Sequence, residues 1–186
     1  MTITDHLIAP GATRGETGLA LGTAFLGAAA AFALAVHAGY TALTIAVITF
    51  VAFDMFGGAV VNATTSAKHH FHRDSRTTRH HLGFVAIHVQ PFLLAWATPG
   101  FTWATAAAIY ATALCCALLI TSSPPNLRRP SAFAVTTFAL VCVTALLTVP
   151  QALAWFAPVL LIKLLLAHLL PVDPHPLPGS PAPAAA

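Results

Sequence analysis

The chain has 186 residues, 58% of them hydrophobic and 7% charged, with a net charge of +3. A water-soluble domain carries about 25% charged residues, so that class is excluded. The apolar residues form runs close to the ~20 residues that a bilayer crossing needs. The basic balance does not point to nucleic acid, because the cations lie in short segments between apolar runs, as in loops facing the cytoplasm.

The expected fold class is all-α, a polytopic membrane protein with six transmembrane helices. They fall at roughly 18–38, 42–63, 82–98, 102–122, 131–149 and 152–170. These form a single domain, 1–170, with a polar cytoplasmic loop at 64–81 and a disordered Pro/Ala-rich tail at 171–186. The first run resembles a secretory signal in its small-residue end, but it has little positive charge before it and is longer than an h-region. A retained first span is expected. The breaks at Gly39-Tyr40, Pro99-Gly100 and Pro150-Gln151 contain no Lys or Arg. By contrast, Arg14, Lys68, Arg73, Arg76, Arg79, Arg128 and Arg129 all fall on the other side, which predicts an N-in/C-in topology in the cell membrane. Lys163, in the last span, is expected to snorkel to the cytosolic interface. Trp96, Trp103 and Trp155 fit an outer aromatic belt. Cys115, Cys116 and Cys142 read as packing residues, and Gln90-Pro91 predicts a kink just beyond His88.

Six of the ten histidines and six of the thirteen charged residues lie between Asp54 and His88. Ionisable groups inside a bilayer are costly and default to a functional reading. Asp54 is about nine residues from the cytoplasmic end of its span, roughly 13 Å deep. His88 lies about seven residues into the next span, at similar depth. The two are expected to pair and to act as general acid and base. Gly57 and Gly58 follow on the face of Asp54 and would let a substrate or a neighbouring helix approach the backbone. Asn62, on broadly the same side, would orient a ligand or cap the helix.

The loop carries His69, His70, His72, His80 and His81, candidate ligands for Zn or Fe. Arg73, Arg76 and Arg79 are candidates for gripping an anionic substrate group. Regular helices keep Asp54 too far from the loop histidines for one ion to collect them all. Three arrangements stay open: a surface metal site, a metal-free anion grip, and a basic loop resting on anionic headgroups. The run His69-His70-Phe71-His72 with His80-His81 resembles the histidine boxes of membrane desaturases and hydroxylases, which implies an iron centre. The resemblance covers those positions alone. The pattern calls for further inner-side clusters, where this chain has only His168, His6 and His175.

The expected function is a small integral-membrane enzyme acting on a lipid or other hydrophobic molecule at the cytoplasmic leaflet, of isomerase, cyclase or hydrolase type. A transporter or proton-coupled carrier is the first alternative, and a non-catalytic assembly subunit is the second. The expected partners are the lipid bilayer and a hydrophobic small molecule, with no nucleic acid. An oligomer is compatible with the sequence.

Overall fold

A computed structural model describes residues 9–73 and 75–172. His6, Asp74, His175 and all but the first two residues of the expected tail lie outside the described residues. Among the described residues the chain is all-helical, without strands.

Helix α1 (Arg14–His37) starts earlier than its apolar run because Thr13 and Glu16 form a capping box. The Thr13 hydroxyl accepts the Glu16 N–H at 3.1 Å, and the Glu16 carboxylate accepts the Thr13 N–H at 2.9 Å. The helix ends at His37, and Gly39, two residues on, turns the chain with a φ of +70° that is open to glycine. Its buried face is a stripe of small residues, Ala20, Ala24, Gly27, Ala28, Ala31 and Ala35. This stripe lets α2 (Ala42–Ala63) approach closely. A Cβ on Gly57 of α2 would meet Ala24 Cβ at 2.8 Å, and one on Gly27 would collide with the Phe56 ring. The α1–α2 pair is the most extensive helix contact in the bundle.

Thr64, in extended backbone, both ends α2 and caps α3 (Thr65–Phe71). Part of the expected loop 64–81 is therefore helical. The Ser66 N–H donates to Glu16 at 3.3 Å, tying α3 to the start of α1.

The expected third span is two half-helices, α4 (Thr78–Ala86) and α5 (Gln90–Ala97). Pro91 has no N–H and would clash with the carbonyl of Ile87 in a continuous helix. The freed groups find other partners. The Ala86 carbonyl accepts the Tyr110 hydroxyl at 2.7 Å, and the Ile87 carbonyl accepts the Val89 N–H at 2.9 Å.

Helices α6 (Trp103–Ser122) and α7 (Arg128–Leu146) follow. The final span begins with a 3₁₀ turn (Gln151–Leu153), continues as α8 (Phe156–Leu161) and closes as a π-helical segment (Ile162–His168). It is the central element, touching α2, α6 and α7. Its most apolar window is 61% buried, against 22–39% in the other long helices. Five helical stretches are long and apolar enough to cross a bilayer, and the broken α4–α5 pair stands apart from them. Phe50, Phe138 and Leu146 point outward at 70–76% exposure. Large apolar side chains scattered over the helix exteriors suit a lipid-covered bundle.

Trp96 and Trp103 are exposed. Trp155 is half-buried and packs on Phe56 with ring centroids 5.4 Å apart. The three cysteines line an apolar groove of about 610 Å³ between α6 and α7, together with Phe138 and Leu119.

Candidate functional site

Lys163 does not snorkel. It is 3% exposed and donates to Asp54 Oδ1 at 2.9 Å, with a second contact to the Asp54 carbonyl at 3.2 Å. Its path to Asp54 runs over Gly58, where a Cβ would meet Lys163 Cε at 2.5 Å and Nζ at 2.6 Å. The bare backbone at Gly58 thus makes room for the ammonium. Reaching the interface would have left the Asp54 carboxylate without its ammonium. Replacement of Gly58 by alanine is therefore expected to push Nζ off Asp54 and cost about 1–3 kcal/mol, read as a lowered unfolding midpoint of the purified protein.

The other carboxylate oxygen, Oδ2, accepts from Gln90 Nε2 at 3.1 Å. Gln90 opens α5 just past the break, so the proline-forced interruption delivers this donor. Asp54 is thus held by two donors from two different helical elements. Its side chain nevertheless remains 41% exposed.

The expected Asp54–His88 hydrogen bond is absent. His88 is 6% exposed and its Nδ1 donates to the Phe84 carbonyl at 2.6 Å. That carbonyl lost its regular partner when the chain left α4, because the His88 N–H turns to Val85 instead. With the Nδ1 proton committed, neutral His88 keeps a lone pair on Nε2. His88 lies within electrostatic reach of both Lys163 and Asp54, but it is a neighbour of the ion pair, not its partner.

Gly57 and Gly58 are filled by protein, the former by Ala24 of α1 and the latter by Lys163. Neither leaves room for a substrate. Asn62 is 4% exposed with Nδ2 unpartnered, so it satisfies no cap through that atom.

The histidines separate into two groups. His69 and His80 are exposed, and His70 is half-buried beside Arg73, at 3.3 Å. His72 and His81 instead turn inward to meet His168, which sequence reasoning had left aside. His72 Nε2 donates to the His168 carbonyl at 2.8 Å, and His81 Nδ1 lies 3.3 Å from His168 Nε2. One ring in that second contact must supply a lone pair, so at least one of the two is neutral. His72 and His81 stack at 4.5 Å, and Phe84 covers His168 at 3.8 Å. Among the described residues no group of three or more ligating side chains is arranged to hold a metal ion, so the Zn or Fe expectation gains no support. Arg73 and Arg79 are exposed, whereas Arg76 is half-buried.

The π-helical segment explains how the last span supplies both Lys163 and His168 to the interior. Five α-helical residues turn the chain about 500°, leaving Lys163 and His168 about 140° apart. Hydrogen bonding from i to i+5 instead stacks residue i+5 roughly over residue i. Lys163 and His168 therefore both face inward, one to Asp54 and the other to His81.

Burial holds His72 below its ordinary pKa of 6.5; nearby Lys68 and Arg128 add to this, and the His168 carbonyl opposes it. A base with a depressed folded-state pKa is penalised where the unfolded chain takes up protons and the folded one does not. The protein is expected to be most stable above pH 6.5 and to lose stability as pH falls below it. Thermal unfolding from pH 8 to pH 5 checks this, and His72→Gln should flatten the profile.

No protein-family profile, curated protein or solved structure matches the chain.

Proposed function

We propose that the chain is a small integral-membrane enzyme that performs acid/base chemistry on a lipid or other hydrophobic substrate, with Asp54 as the reacting group. One observation carries this reading. Asp54 is fixed by Lys163 and Gln90, yet 41% of its side chain stays accessible. A purely structural ion pair at membrane depth gains by hiding both charges, because a carboxylate facing hydrocarbon is costly. An oriented and reachable carboxylate is instead what proton transfer to a membrane-dissolved molecule requires. Lys163 and Gln90 act as positioning residues, and His88 Nε2 is the nearby base that relays the proton. The expected setting is the cytoplasmic leaflet of the cell membrane, with the histidine- and arginine-rich end inside.

A proton-coupled carrier is the second reading, favoured by the ladder Asp54–Lys163 to His168–His81–His72 leading to the polar end. Towards the opposite end, His37 is the only ionisable Lys, Arg, His, Asp or Glu in the sequence outside this ladder and the polar-end segments, apart from His88. This leaves a relay to the far side without steps. Comparing lipid extracts incubated with detergent-solubilised protein separates the two. Catalysis changes the extract without a sealed membrane. A change that appears only in sealed vesicles, as redistribution without a new product, sinks the enzyme reading.

A further inference from the structure

Helices α6 and α7 do not close against each other along their whole length. Between them runs an apolar groove of about 610 Å³. Cys116 and Ala139 form its buried floor, while Cys115, Leu119, Ala134 and Phe138 stand exposed along its rim. The groove therefore opens outward to the membrane. It offers no free polar partner, because the Thr112 hydroxyl in its wall is taken by the Ala108 carbonyl at 2.8 Å, and thiols behave as small apolar groups. A hydrocarbon chain suits such a lining, whereas a polar ligand would leave its own groups unsatisfied.

The depth of the groove matches one leaflet. Along α7 it runs from Ala134 to Cys142, eight residues or about 12 Å. Half of a bilayer's ~30 Å hydrocarbon core is about 15 Å. The polar end of the groove lies six residues, or about 9 Å, from Arg128 at the start of α7. Arg128 also precedes Val135 of the groove wall by seven residues, a rotation of about 700° that falls about 20° short of two turns. It thus stands on the groove-lining face. A long cationic side chain at this end leans toward the helix N-terminus, the level of lipid headgroups. The segment Ser122–Ser131 carries Arg128 and Arg129 and no Asp or Glu, so an anion held there meets positive charge without a competing carboxylate from that segment.

We propose that the α6–α7 groove binds an anionic phospholipid from the leaflet at the polar end, with one acyl chain in the groove and the phosphate on Arg128. Charge complementarity selects the headgroup, and the apolar lining selects the chain. A second copy packed symmetrically on this face would set the same arginines against each other. The lipid site holds whatever chemistry Asp54 performs.

Native mass spectrometry of the full-length protein tests this, after equilibration in detergent with equal amounts of phosphatidylglycerol and phosphatidylcholine bearing the same chains. Phosphatidylglycerol should be retained in preference to phosphatidylcholine. Arg128→Gln should weaken its retention about fivefold, the effect of one cation at an anionic surface. Ala134→Trp, which fills the groove from its exposed rim, should weaken it about tenfold. Arg79→Gln, at an exposed arginine of another segment, should change it less than about twofold. The native thiols give a second readout in the unaltered protein. Alkylation of Cys115 by a lipophilic maleimide should slow when phosphatidylglycerol is added and not when phosphatidylcholine is. Equal retention of the two lipids, equal losses from Arg128→Gln and Arg79→Gln, or a Cys115 that phosphatidylglycerol leaves unprotected overturns the site. A protein dimer that forms in place of lipid retention assigns the groove to a second copy and overturns it as well.

Discussion

Lys163→Met is expected to destabilise the bundle by about 3 kcal/mol. This is the low end for breaking a buried ion pair, because the Asp54 side chain is 41% exposed. The loss comes mainly from the carboxylate left behind, which keeps Gln90 but loses its ammonium. Removing that charge as well should undo most of the damage. The double variant Lys163→Met with Asp54→Asn is therefore expected to unfold nearer to wild type than Lys163→Met alone. Denaturant or thermal unfolding in one detergent measures all three. Strictly additive losses would show that the two residues do not interact.

Asp54→Asn alone is expected to lower stability as Lys163→Met does, because the 3%-exposed Lys163 loses its counter-charge, although the amide oxygen can still accept from Lys163. Its larger effect falls on chemistry and is read per folded protein. A positioned acid or base contributes about 10²–10⁴-fold to rate, and turnover should drop by that factor. Lipid extracts of cells producing each variant provide the measurement, as accumulation of substrate and loss of product. His88→Ala should cost less than Asp54→Asn, because His88 lies beside the ion pair and makes no hydrogen bond to Asp54. The rescued double variant should be stable and inactive. That pattern separates a reacting carboxylate from a structural one, for which stability and activity would recover together.

Much of the bundle was legible because apolar runs, glycine turns and prolines are local signals. The turns at Gly39 and Gly100 and the interruption before Pro91 lie where the residues put them. The importance of Asp54 was legible too, as a carboxylate stranded in an apolar run. Its partner was not. Sequence neighbours favoured His88, one loop away, but nothing local states that the last span inserts at the centre against α2. Lys163 looked like a snorkelling cation because it lies near the inner end of the last span. The π-helical segment changes the helical phase and sends both Lys163 and His168 inward. The histidine run misled in the opposite direction. His69 and His80 point outward, and His168, isolated in sequence, organises His72 and His81.

A reacting Asp54 must be both oriented by protein and reachable from the membrane. Treating the folded protein with a lipophilic carbodiimide, which reacts with carboxyl groups from within the bilayer, tests both properties. Peptide mapping by mass spectrometry reads the result. Modification is expected at Asp54, with its loss in Asp54→Asn and much weaker modification by a water-soluble carbodiimide of equal reactivity. An Asp54 that stays unmodified in the folded protein and reacts only after unfolding would contradict it, leaving a sealed structural ion pair.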